Sequence, residues 1–148
     1  MTKRELAEAY FSEGYNCCQA VVLAFTEELG LTKEQVARMG SSFGGGVARL
    51  REICGAVSGM AMTAGLHCGY DSPTDLEAKA DHYHRVRLMA ARFKKENGSY
   101  VCRELLAAHP QPAPEPGKPT LAHNPACAKF VGDAAAILEA AFQEEEKN

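Results

Sequence analysis

The sequence predicts an all-α protein, one compact single-domain bundle of about six to seven helices over residues 1–148. Three observations carry this expectation. Apolar residues recur at steps of three and four, the spacing of one helical face. Helix-start signals, a small polar residue followed by Glu or Gln three places on, recur along the chain. No stretch alternates apolar and polar residues as a half-buried strand does, and there is no internal repeat or sustained heptad pattern.

The elements follow in order. Thr2 and Glu5 form a capping box for a first helix to Phe11, which Gly14 ends. Asn16 caps a second helix running to Leu29, with Gly30 as its stop. Thr32 and Gln35 open a third, ending near Ser41. Phe43 and the triple glycine Gly44-Gly45-Gly46 make a loop before a central helix, which starts at Arg51 and ends at Gly69-Tyr70. Its predicted face is Ile53, Val57, Met60, Ala61, Ala64 and Cys68. Ser72-Pro73-Thr74-Asp75 starts the longest helix, with Ser72 as cap, running to about Asn97. Ser99 caps a short helix through Leu106. Five prolines between Pro110 and Pro119 make residues 109–123 an extended loop, strapped over the bundle. Asn124-Pro125 starts the last helix, with Val131, Ala134, Leu138 and Ala141 as its buried stripe. Residues 144–148 are an acidic, fraying tail.

Composition narrows the function. Apolar residues at 46% and charged residues at 24% suit a globular chain long enough to bury a core. A net charge of −3 gives nucleic acid or an anionic membrane no basis as partner. The longest apolar run, Ile53 to Leu66, is too short to span a bilayer. With no secretory leader visible, the chain is expected to be cytoplasmic. In that reducing setting six cysteines point to metal binding, catalysis or redox sensing more than to structural disulfides.

No two of these cysteines form a Cys-x-x-Cys pair, so spacing supports neither a zinc ribbon nor a thioredoxin motif. Their places within helices are the informative feature. Cys17, Cys54, Cys102 and Cys127 each fall near a predicted helix start, where free N–H groups and the helix dipole favour the thiolate. If the starts converge, the four meet at one point. Cys18 cannot be separated from Cys17 by periodicity, and Cys68 stands apart. Each of the four also continues an apolar stripe, so small-residue packing is the plain alternative. Gly55 and Gly59 lie four apart on one side of the central helix and cost roughly 2 kcal/mol against alanine. A close backbone or a bound group would offset that cost, which makes both glycines candidates for cofactor or partner contact.

Other motifs carry less. The triple glycine lacks the Gly-Lys-Ser/Thr of a phosphate loop. His82 and His84, two apart, cannot share one helical face as metal ligands. His67 suits a helix C-terminus.

The chain resembles the C_GCAxxG_C_C family of redox-active proteins, known by four cysteines and a CGAxxG motif. Cys54-Gly55-Ala56-Val57-Ser58-Gly59 carries the motif. Ser42-Phe43-Gly44-Gly45-Gly46, Gly14-Tyr15-Asn16-Cys17-Cys18-Gln19-Ala20-Val21, Cys102-Arg103-Glu104-Leu105-Leu106 and Cys127-Ala128-Lys129-Phe130-Val131 fit beside it. The resemblance covers about Phe11 to Leu138 and puts the family cysteines at Cys17, Cys54, Cys102 and Cys127. It implies redox or electron-transfer function, since a related domain occurs in split-Soret-type cytochromes. Three classes stay open: a dithiol site cycling with a disulfide, a thiolate centre in which the four cysteines hold zinc or an iron–sulfur cluster, and an assembly module with cysteines as packing. In the first class, a close pair involving Cys54 is expected. The redox partner is unidentified, and a homodimer is open.

Overall fold

The computed structural model describes residues 1–111 and 123–147. Among these it is all-α, with eight helices and no strand. They are α1 (Lys3–Ser12), α2 (Cys17–Leu23), α3 (Thr26–Leu29), α4 (Lys33–Gly40), α5 (Gly55–Cys68), α6 (Leu76–Asn97), α7 (Cys102–Ala107) and α8 (Ala126–Glu146). The count exceeds expectation because the second predicted helix divides. The Thr26 hydroxyl donates to the Leu23 carbonyl at 2.7 Å, taking an acceptor the helix would need to continue. Phe25 turns out of helical geometry there, and α3 restarts.

The capping boxes of Thr2 with Glu5 and Thr32 with Gln35 form as read, and Gln19 completes a third with Asn16. Asn16 and Gln19 also reach the end of α4: Asn16 Nδ2 donates to the Gly40 carbonyl at 3.2 Å, and Gln19 Nε2 to that of Ala37 at 2.8 Å. Other starts move. Asp75, not Ser72, caps α6 by accepting from the Ala78 N–H at 3.0 Å, while Ser72 closes the preceding turn. Ser99 accepts from the Val101 N–H at 3.0 Å and holds an extended segment, so α7 starts only at Cys102. The Asn124 carboxamide accepts from the Ala126 N–H at 3.0 Å, and α8 follows.

The central helix starts at Gly55 rather than Arg51. Its expected first turn is extended and bonded sideways: the Cys54 N–H donates to the Tyr100 carbonyl at 2.9 Å and the Cys102 N–H to that of Glu52 at 2.6 Å. Ile53 therefore lies outside the helix, 39% exposed, and is not part of the buried face. Gly55, Ala56, Val57, Gly59 and Met60 are all buried, so this half of α5 is enclosed from several sides and not along one stripe.

The core joins Phe25, Met60, Phe93, Val131 and Leu138, all fully buried, and a smaller cluster of Cys18, Val22, Leu23 and Val36 ties α2 to α4. α8 packs against α1, α2, α5 and α6. Val131, Ala134 and Leu138 are buried as predicted; Ala141 is only half-buried. A polar tie accompanies this packing. Asp133 is buried on α8 and accepts from Arg4 at 2.7 Å, Lys129 at 2.7 Å and Asn97 at 3.1 Å, which joins α8 to α1 and α6.

Most of the expected proline-rich loop, residues 112–122, lies outside the described residues. Its flanks are joined, since Asn124 Nδ2 donates to the His109 carbonyl at 2.7 Å. Of the acidic end, residues 144–147 are described and residue 148 lies outside the described residues. α8 continues to Glu146, and Glu145 pairs with Arg85 at 2.9 Å. Among the described residues no helix is long and apolar enough to cross a membrane.

Candidate functional site

Four helix starts carry the predicted cysteines. Cys17 is the first residue of α2, Cys54 the residue before α5, Cys102 the first of α7 and Cys127 the second of α8. Cys17 lies close enough to feel the charge of Cys54, Cys102 and Cys127. All six cysteines are free thiols.

Two local devices hold the site. The first is a single antiparallel bridge between Ile53 and Val101. Residues flanking such a pair point to the opposite face from it. Cys54 and Cys102 therefore turn inward, 4% and 8% exposed, while Ile53 turns out. The two are diagonal neighbours across the bridge, a relation that sets Cβ atoms about 7–8 Å apart or slightly less.

The second device is a left-handed turn. Gly45, Gly46, Val47, Ala48 and Arg49 run consecutively at φ of 67, 71, 66, 48 and 64°, and Arg51 follows at 63°. Left-handed geometry costs a non-glycine residue roughly 1–2 kcal/mol, and a β-branched valine there is an outlier. Backbone bonds close the turn: Arg49 N–H to the Gly44 carbonyl at 3.0 Å, Arg51 to Gly45 at 3.1 Å and Glu52 to Gly46 at 3.1 Å. At Gly46 a β-carbon would fall 2.8 Å from Cys102 Cβ, so only glycine lets the turn lie under that cysteine. The turn delivers Arg51, whose Nη1 lies 3.8 Å from Cys102 Sγ. Sequence reasoning saw the glycines but missed Arg51. The only available signal was the glycine run itself, and nothing in Val47-Ala48-Arg49 announces left-handed backbone.

The thiols are not equivalent. Hydrogen bonding with Cys127 pushes the Cys17 thiol well above its ordinary value, and burial and the other thiols add to it. The same interaction lowers Cys127; burial opposes this and Arg51 assists it. Within the pair Cys127 is the thiol more readily ionised and Cys17 the less. Burial pushes Cys54 up to about 12, although the Ala56 and Val57 amides partly favour its thiolate. Burial also pushes Cys18 up to about 12, and it packs in the α2–α4 cluster. Cys17 and Cys127 act on each other most strongly, while Cys54 feels Cys127 and Cys102 and is felt by Cys17.

Gly55 and Gly59 face α2. A β-carbon at Gly55 would meet the Phe43 carbonyl at 2.9 Å and Cys17 Cβ at 3.1 Å; one at Gly59 would meet the Cys18 carbonyl at 2.8 Å. The bare surface expected to admit a cofactor or partner is filled by α2 and by the Phe43 carbonyl. The glycines set the α2–α5 separation and so the spacing of Cys17 from Cys54. Cys68 sits at the far end of α5 and donates to the Ala64 carbonyl at 3.2 Å.

Tetrahedral zinc or a cubane-type cluster needs several thiolates converging on one point, with sulfur about 2.3 Å from zinc. Among the described residues no three Cys, His, Asp or Glu side chains are grouped to hold a metal ion. In this arrangement the four thiols do not fit such a centre.

The family model described as "Putative redox-active protein (C_GCAxxG_C_C)" matches residues 15–141. The chain belongs to this family. The match takes in Cys17, Cys54, Cys102 and Cys127 and spans α2 to most of α8. The C_GCAxxG_C_C label writes its motif Gly-Cys-Ala, where this chain runs Cys54-Gly55-Ala56-Val57-Ser58-Gly59. No curated protein and no solved structure gives a significant match.

Proposed function

We propose that this member of a redox-active family exchanges thiols with disulfides, with Cys17 and Cys127 as the primary pair. The reading is supported by the placement of these two cysteines at the starts of α2 and α8, where each acts on the other, raising Cys17 and lowering Cys127. A thiolate is the attacking species in exchange, and a neighbouring thiol resolves the product. The Cys127 thiolate attacks one sulfur of an incoming disulfide, whose other sulfur leaves as a thiolate. The leaving thiolate takes the Cys17 proton. The Cys17 sulfur then attacks Cys127 and expels the second half of the substrate as a thiolate. Two electrons pass to the substrate, and the protein retains a Cys17–Cys127 disulfide. A reducing, cytoplasmic setting suits the six free thiols and would return the pair to its starting state.

Equilibration of the protein in glutathione buffers of graded potential, followed by acid quenching and peptide mapping, tests the reading. A Cys17–Cys127 disulfide is expected, lost in Cys17→Ser and Cys127→Ser and kept in Cys68→Ser. Absence of any disulfide across the range rejects it. Stoichiometric bound metal after anaerobic preparation, with equal loss in all four serine variants, would replace it with a thiolate centre.

A further inference from the structure

The Ile53–Val101 bridge has the buried Cys54 and Cys102 on one face and solvent on the other. Ile53 is 39% exposed, and Leu50, three residues before it, is 67% exposed. Single exposed apolar side chains are ordinary, but two so close beside a thiol site form a contact surface. Cations border the pair. Arg49 and Arg51 flank Leu50 in the chain, and Arg103 Nη1 donates to the Arg51 carbonyl at 3.1 Å. Lys94 Nζ lies 5.4 Å from the centre of the Tyr100 ring, and the Tyr100 carbonyl takes the Cys54 N–H at 2.9 Å. Two carboxylates stand nearby: Glu52 already pairs with Arg103 at 3.1 Å, and Glu104 lies on α7. Arg49, Arg51 and Lys94 have no carboxylate within ion-pair distance among the described residues. The chain as a whole carries a net charge of −3, so this surface is opposite in sign to the molecule.

We propose that this surface docks an acidic protein partner, whose disulfide is the substrate of the thiols. Leu50 and Ile53 meet an apolar part of the partner, and Arg49, Arg51 and Lys94 meet its carboxylates. The proposal rests on the thiol–disulfide reading and adds the chemistry of the partner to it. Charge complementarity favours a protein over a polyanion. Nucleic acid or an anionic membrane would meet the repulsion of the whole chain, whereas a protein face of ordinary size meets this surface alone. The apolar pair argues against a small anionic disulfide, which needs cations but gains nothing from Leu50. Complementary charge of this kind speeds encounter and weakens steeply with salt.

The test gives the reduced full chain three disulfide probes at neutral pH and reads the release of probe thiol. Two are symmetric disulfides of capped pentapeptides, each with leucine on both sides of its cysteine and either glutamate or lysine at both ends. The third is glutathione disulfide. Each rate is divided by that with dithiothreitol, which removes the probe's own reactivity. The glutamate peptide is expected to react about tenfold faster than the lysine peptide at low salt, with the preference gone at 1 M salt, where the screening length is about 3 Å. Arg49→Glu and Lys94→Glu should each cut the preference about threefold. Lys79→Glu makes the same change in net charge against Tyr83, toward the other end of α6, and should leave the preference in place. Leu50→Ser should slow both peptides and leave glutathione disulfide unchanged. An equal rate for the two peptides, a preference untouched by Arg49→Glu and Lys94→Glu, or an equal fall in Lys79→Glu overturns the proposal. If Arg49→Glu does not fold, Lys94→Glu decides alone. Glutathione disulfide reacting as fast as the glutamate peptide, with no effect of Leu50→Ser, replaces the protein partner with a small anionic disulfide. The two readings fail separately. Release without charge preference removes only the acidic partner, whereas no release from any probe removes the exchange reaction itself and the partner with it.

Discussion

The two ends of α5 carry the same residue type with different surroundings. At the N-terminal end Cys54 meets thiols from α2, α7 and α8, with Arg51 close by. At the C-terminal end Cys68 bonds its own helix at Ala64, and its charged neighbours are Arg85 and Glu145, which already pair with each other. The glycines differ in parallel. Gly59 has α2 backbone where its side chain would be, whereas a β-carbon at Gly65 would meet only His82 Nε2, at 3.9 Å. A cysteine in this fold gains chemistry from the elements that converge on it, and glycines permit that convergence at one end only.

The largest expected effect breaks this contrast at the crowded end. Gly59→Val should destabilise the protein by about 3 kcal/mol, because the branched side chain must displace α2 backbone. Gly65→Ala at the open end should stabilise it by up to about 1 kcal/mol through helix propensity. Urea unfolding of both variants checks the pair, and equal effects would erase the distinction.

Next in size is the polar tie near the thiol end. Asp133→Asn should cost about 1–3 kcal/mol, discounted for the exposed sides of Arg4 and Lys129. Burial works against the Asp133 charge, but hydrogen bonds from Lys129, Arg4 and Asn97 outweigh it and hold the carboxyl below its ordinary value of 3.8. Its stabilising contribution is therefore complete above that value and is lost as pH falls through the lower folded one. A stability profile in acid should show this loss in wild type and lack it in Asp133→Asn.

A third prediction sharpens the comparison chemically. Burial raises Cys68, while Cys127 is lowered by its bonding with Cys17. At neutral pH iodoacetamide should alkylate Cys127 at least several-fold faster than Cys68, although both are half-buried. Comparable rates would show that exposure, not the thiol cluster, sets reactivity.

The smallest effect lies at the far end. Burial lowers His82, and Arg85 assists. A histidine lowered by folding stabilises fully above its unfolded value of 6.5 and loses that contribution as pH falls below it. Mild acid should cause a small decline in stability, absent in His82→Phe and separate from the Asp133 step at lower pH.

Local chemistry made much of this fold legible. Thr2 with Glu5 and Thr32 with Gln35 announce helix starts because each box satisfies orphan N–H groups within four residues of chain. Val131, Ala134 and Leu138 mark the buried face of α8 for the same reason of short range. Where several local signals competed, the sequence misled: Ser72 and Ser99 are both good caps, yet each holds the chain before its helix, whereas Asn124-Pro125 does open α8.

The sequence by itself determined an all-α chain, four cysteines at helix starts and a glycine pair demanding a close neighbour. The tertiary structure alone decided that α2 is that neighbour, that Cys17 and Cys127 come to act on each other, and that Arg51 is delivered to Cys102. The reason is physical. Helix starts depend on bonds between residues three or four apart, which a linear pattern displays. The Ile53–Val101 bridge and the left-handed turn under Cys102 depend on chain segments about fifty residues distant. Val47, Ala48 and Arg49 accept strained backbone only because the surrounding contacts, absent from any local window, compensate for it.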